Sequence, residues 1–185
     1  MSAKRVLYRI QQFWHTLLAP LCPPNHTYVA VRLTPELLAL FERMPRAEQQ
    51  HGIALCKALE ARSITDADAQ VAGLLHDCGK SVAPPHLWDR VLVVLGEALL
   101  PRQAARWAAR AEVETPPHGL SRGFVIRKRH AEWGAALAEQ AGASPRTVAL
   151  IRLHHHPVGE EIPLEDALGT DFSLLLHTLQ ELDDA

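Results

Sequence analysis

Prolines in this chain stand at the starts of apolar-periodic segments or between them, not inside them. Thr34-Pro35 opens LLALFERM, and Pro45 opens the stretch that carries His51 and runs to about Arg62. Pro84 and Pro85 precede HLWDRVLVVLGEALL, Pro101 begins a segment to about Glu112, and Ser144-Pro145 opens RTVALIRLHHH. Proline fixes φ near the helical value and lacks only an N–H that the first turn cannot use, so it is accepted at a helix start and breaks a helix interior. Thr34 and Ser144 add the side-chain oxygen of an N-cap, as does Asp66 before LLHDCGK, and Thr170 or Asp171 before FSLLLHTLQELDD. The β-branched runs are short, and VLVVLG sits among helical neighbours, so no strand is expected. The expected class is all-α: about eight helices, with an amphipathic helix at the N-terminus.

That N-terminal helix covers residues 4–18. It sets Val6, Ile10, Phe13, Trp14 and Leu17 on one side and Lys4, Arg5, Arg9, Gln11 and Gln12 largely on the other. Its apolar side is expected to pack on the domain or on a partner chain rather than to lie on a membrane surface. The stretch APLCPPNH (19–26) holds three prolines and reads as a linker. The organisation expected is therefore a helix and linker over 1–26, then one helical domain over 27–185. A chain of 185 residues with 48% apolar content suits one core.

Charge excludes some partners. A net charge of −2 gives no field that would draw the chain to nucleic acid. Cys22, Cys56 and Cys78 are odd in number and match neither a disulfide framework nor a CxxC zinc site. Cys56 and Cys78 lie in apolar helical context as buried thiols, so a reducing, cytoplasmic setting is expected. No stretch approaches the ~20 apolar residues of a membrane span, and the N-terminus lacks the h-region and cleavage site of a signal peptide. Homo-oligomerisation is left open.

The histidines carry the chemistry. His51 is mid-helix, and His76-Asp77 ends the next helix. His130 is expected to open a later helix after the loop ETPPHGLSRGF (114–124), His154-His155 ends RTVALIRL, and Asp183 lies in the terminal helix. Neighbouring helical residues point ~100° apart. His76 and Asp77 therefore cannot both face one small site from inside a regular helix, but at a helix end they can, and the same holds for His154 and His155. Imidazole nitrogen and carboxylate oxygen suit Mn, Fe, Ni or Zn. His15, His26, His86, His118 and His177 have no partner at ligand spacing. His156 is set aside because three consecutive imidazoles cannot face one centre. Glu48 and Glu132 read as solvated helix-face groups.

In this order the residues resemble the HD-domain metal-dependent phosphohydrolase superfamily. The resemblance runs from about Leu37 to the C-terminus. It rests on LLHDCGK (74–80), RHAEWGAALAEQAG (129–142), LIRLHHHP (150–157) and LQELDD (179–184). It implies a dinuclear centre of divalent ions, Mn, Fe or Ni, with Zn and Mg as further candidates. His51, His76, Asp77 and Asp183 would hold the first ion. Asp77, as a bridge, with His130, His154 and His155 would hold the second. It further implies hydrolysis of a phosphate-bearing small molecule, a nucleotide or related ester, with Asp77 at the catalytic centre and Lys80 as a phosphate contact. A structural role for Lys80, complementing a helix end after a glycine cap, stays open beside this. Solvated surface and substrate recruitment both stay open for the basic run Arg127, Lys128 and Arg129 with Arg122.

The resemblance does not extend to the loop of the HD-GYP cyclic-di-GMP phosphodiesterases. Here the paired histidines lead into His156-Pro157-Val158-Gly159-Glu160-Glu161, with no tyrosine. The other class weighed is a non-catalytic ligand-binding or interaction protein that keeps the fold and the metal. Such a relative would be expected to have lost ligands, and none is missing here.

Overall fold

The computed structural model describes residues 23–110, 117–157, 168–169 and 171–184, and all regular structure among them is helical. The N-terminal helix over 4–18, most of the linker, Cys22 and the loop after Pro157 lie outside the described residues, as does part of the 114–124 stretch. Among the described residues there are nine α-helices: α1 (His26–Ala30), α2 (Pro35–Glu42), α3 (Arg46–Ala61), α4 (Ala67–Leu75), α5 (Leu87–Leu99), α6 (Pro101–Ala109), α7 (Arg122–Gln140), α8 (Pro145–Leu153) and α9 (Phe172–Asp183). Short 3₁₀ turns cover Cys78–Ser81 and Gly119–Ser121.

The helix starts follow the caps. The side chains of Thr34, Asp66 and Ser144 accept from the backbone N–H of Leu37, Ala69 and Thr147. Asp171 precedes α9 without making a side-chain cap. The count exceeds eight because of α1. Its first residue, His26, was expected to be the end of the linker. Asn25 accepts from the N–H of Tyr28 at 3.1 Å, and so starts a helix directly after Pro23 and Pro24.

The larger correction concerns α7, which begins at Arg122, so His130 sits in its middle rather than at its start. The Pro/Gly content of 114–124 suggested a loop running to Phe124, but Gly123 is there for packing. A Cβ on it would lie 2.6 Å from the carbonyl oxygen of Asp89, so only glycine lets α5 and α7 meet at that point. The first turns of α7 bury Phe124, Val125 and Ile126, and Phe124 forms a small second core with Val93 and Ala104.

The main core surrounds α4. Its Ala69, Ala72, Leu74 and Leu75 are buried together with Phe41 of α2, Cys56 of α3, Leu150 and Ile151 of α8, and Phe172 and Leu176 of α9. Burying one such large side chain is worth ~1.5–3 kcal/mol. The centre of α4 is thereby fixed, and with it the direction in which its C-terminal residues point. Among the described residues no helix is long and apolar enough to cross a membrane.

Candidate metal centre

Beyond Leu75 the chain leaves α-helical geometry one residue at a time. His76 keeps helical angles, and Asp77 turns to φ −95°, ψ 6° before the 3₁₀ turn begins. This change of direction lets adjacent side chains share one cavity. Gly79 is not the left-handed cap expected from sequence, since its φ is not positive. It lies against α7, where a Cβ would come within 1.9 Å of the His130 carbonyl oxygen. That close approach brings His130 beside Asp77.

Seven of the eight residues singled out from sequence converge on this cavity as potential ligands, and the eighth, Lys80, borders it. One set is His51, His76 and Asp183; the other is His130, His154 and His155. Within each set, one donor atom per residue lies within 4.8 Å of the others. Asp77 stands between them, with Oδ2 3.4 Å from His76 Nε2 and Oδ1 3.3 Å from His130 Nε2. His76 Nε2 is also 3.4 Å from Asp183 Oδ1. His130 Nε2 is 3.3 Å from His154 Nε2 and 3.2 Å from His155 Nε2. Two donors that share an ion at ~2.1 Å each lie roughly 3.0–3.5 Å apart, so these separations are those of ligands around a common point.

The tautomers sharpen this. His76 donates its Nδ1–H to the Gly73 carbonyl at 3.0 Å, His130 to Ile126 at 3.1 Å and His154 to Ile151 at 2.6 Å. In a neutral imidazole the other nitrogen then carries a lone pair. The Nε2 lone pairs of His130 and His154 therefore face each other with no proton between them. His76 Nε2 is buried without a hydrogen bond of its own. Backbone carbonyls that fix ring orientation in this way are the usual outer support of histidine metal ligands. The donor set fits divalent transition ions in both positions.

Charge within the cavity is divided. Burial pushes the pKa of Asp77 up, but Lys80 and His76 outweigh burial and hold it well below the usual carboxylate range. Burial has the same effect on Asp183 and is overcome by His76 and His51, the latter through a 2.6 Å contact from its Nε2 to Asp183 Oδ1. Burial lowers His76, yet Asp77 and Asp183 raise it well above its ordinary value. In the other set burial dominates: it lowers His130 to about 4, with Lys80 and His155 adding to the effect, and it lowers His154 and His155 as well. His130 and His154 stay neutral and able to ligate well below neutral pH, and the more exposed His155 is shifted in the same direction.

Lys80 points back at the cavity. Its Nζ donates to Asp77 Oδ2 at 2.6 Å and to Glu48 Oε2 at 3.1 Å, so it is not complementing a helix end. Glu48 is the clearest departure from the sequence reading. It is only 4% exposed, and its other oxygen accepts from Arg90 Nη2. Its place one turn before His51, on the same face of α3, was the available signal. Glu132 is exposed and pairs with Arg152, as a helix-face group would. The basic run is engaged within the chain: Arg127 pairs with Glu97 at the surface, Arg122 with the buried Asp89 and the Pro84 carbonyl, and Arg129 lies over the Trp133 ring. Gln180, not singled out from sequence, donates to the carbonyls of Leu153 and His156 and so ties α9 to the turn bearing His154 and His155.

Comparison of the chain with family models, with curated proteins and with solved structures finds no match.

Proposed function

We propose that this chain is a metal-dependent phosphohydrolase of the HD-domain kind, acting on a nucleotide or related phosphate ester. The observation that carries the reading is the pair of three-residue donor sets joined by one carboxylate, Asp77, with the Nε2 lone pairs of His130 and His154 facing each other in the second set. His51, His76, Asp77 and Asp183 would hold one divalent ion, and Asp77, His130, His154 and His155 the other. When bound, two such ions supply the positive charge that polarises a phosphoryl group and acidifies a water. Hydrolysis then joins a water oxygen to phosphorus as the ester P–O bond breaks, and the leaving alcohol takes up a proton.

The chain's own residues have separate tasks. Asp77 holds the two donor sets in register. The carbonyls of Gly73, Ile126 and Ile151 fix the rings through Nδ1. Lys80, one-fifth exposed at its side chain, supplies a cation that an entering phosphoryl oxygen can reach. With Cys56 and Cys78 both free thiols buried in the core, a reducing, cytoplasmic setting suits the protein.

The test joins metal analysis of the purified protein to a screen of phosphomonoesters and phosphodiesters with Mn²⁺, Fe²⁺ or Ni²⁺. The expected result is divalent metal in the preparation and turnover of at least one nucleotide-like ester, abolished by Asp77→Ala with the helical content unchanged. Full activity in that variant would overturn the reading.

A further inference from the structure

The proposed reaction uses Lys80 but does not account for what stands behind it. Glu48 is buried and shared: one oxygen takes Lys80 Nζ at 3.1 Å and the other takes Arg90 Nη2. The two cations are thus held a carboxylate's width apart, one from the 3₁₀ turn after Asp77 and one from α5. Arg90 Nε is buried without a hydrogen-bond partner, as are Arg32 Nε and Arg146 Nε, so a contact to a ligand falls to its Nη groups. Both side chains remain partly open to solvent, at 20% for Lys80 and 30% for Arg90.

Counting charges shows what the arrangement is for. Lys80 and Arg90 face Asp77 and Glu48, two cations against two carboxylates. If Asp77 is engaged by the two donor sets' metal, as the proposed function requires, one carboxylate is left to two cations. The surplus positive charge would then sit next to the reacting phosphate. A single phosphoryl group can satisfy Lys80. A second phosphate joined to the first would reach Arg90.

We propose that Arg90, set beside Lys80 by the two oxygens of Glu48, is a specificity-determining residue that makes this site select substrates with two adjacent phosphate groups over those with one. The inference rests on the phosphohydrolase reading for its location and on the Glu48 geometry for its content. Glu48 is the positioning residue, and Arg90 makes the contact. Lys80 serves mono- and diphosphates alike.

The experiment measures binding by calorimetry to the metal-loaded protein, with methylenediphosphonate and inorganic phosphate as probes. Neither can be hydrolysed, so binding is read apart from turnover. Wild type should bind the diphosphonate at least ~10-fold more tightly than phosphate, and Arg90→Gln should remove ~10-fold or more of the diphosphonate affinity, the scale of one charge-assisted contact. Phosphate affinity and metal content should stay within about twofold, and Arg90→Lys should recover part of the loss. Arg127→Gln, at a surface pair with Glu97, should change neither affinity. Chelation by the diphosphonate would act on wild type and Arg90→Gln alike, so the difference between them isolates the contact.

Equal affinities of wild type for the two probes would overturn the inference. So would an equal fall for both probes in Arg90→Gln, or loss of metal in both Arg90 variants, since Arg90 would then merely support the fold. Failure of the functional reading looks different. A protein that turns over no phosphate ester but shows Arg90-dependent diphosphonate binding keeps this site and loses the hydrolase, whereas an active hydrolase with Arg90-independent binding keeps the hydrolase and loses this site.

Discussion

Gly79 and His130 touch backbone to backbone: a Cβ on Gly79 would stand 1.9 Å from the carbonyl oxygen of His130. No rotamer change relieves such a clash, because both partners are main chain. The 3₁₀ turn that follows Asp77 is therefore held against α7 by a contact that only glycine permits. Gly79→Ala should cost at least ~3 kcal/mol, at the upper end for overpacking, and should lower metal affinity by parting His130 from Asp77. Urea denaturation and metal titration measure the two effects. Gly142→Ala serves as control: its φ of 82° strains a side chain, but nothing lies within 4 Å, so ~1 kcal/mol is expected with metal binding intact.

Metal stoichiometry should follow the two donor sets. Wild type should take up two divalent ions per chain. His51→Ala should weaken one site and His130→Ala the other, while Asp77→Ala should weaken both because its two oxygens face different sets. Equilibrium dialysis with Mn²⁺ or Ni²⁺ checks this. Uptake unaltered by His130→Ala would remove the second site.

Lys80→Ala separates binding from support. Lys80 lies outside both donor sets, so metal content should stay near wild type. Loss of a charge-assisted contact of ~1.5–3 kcal/mol should lower kcat/KM by about 10- to 100-fold. A lowered melting temperature with unchanged kinetics would assign the lysine to the ion pairs with Asp77 and Glu48 alone.

The metal-free protein should lose stability on acidification in two successive windows. His130, at about 4 in the fold against an ordinary 6.5, is neutral where the unfolded chain is protonated. Its contribution is complete above pH 6.5, falls as the pH drops below that, and is lost by about pH 4; a shift of that size corresponds to about 3 kcal/mol. His154 and His155, also lowered, act in the same direction. Asp77 and Asp183, held below the carboxylate range, add a further loss at lower pH. His76 is raised, so its contribution is present below its unfolded pKa and fades as the pH rises through its folded value. Denaturation midpoints of chelator-treated protein between pH 2 and 8 check the sum. No fall in stability between pH 6.5 and 4 would contradict the neutral, buried state of His130 and His154.

The helical class was legible because proline, threonine, serine and aspartate punctuate the chain by local chemistry, and the structure starts α2, α4 and α8 at those residues. Ligand candidates were legible because histidine and aspartate at the ends of apolar helices have few other uses. What escaped the sequence depends on contacts between distant segments. Glu48 looked solvated because its partner Arg90 is 42 residues away. Gly79 and Gly123 looked like punctuation because a glycine used for close approach has the same letter as one used for a turn. The start of α7 was lost for that reason, and His130 was misplaced within its helix even though its role as a candidate ligand did not depend on that placement.

The contact between His51 and Asp183 spans 132 residues of chain. A ribosome adding ~5–20 residues per second would need roughly 7–26 seconds to travel from one to the other. During that interval His51 and His76 exist without Asp183, and a metal captured then would have an incomplete set of ligands. If the first set holds an ion as proposed, α9 must be made and docked before that set is complete, so the order of synthesis would make the docking of α9 a gate on loading it.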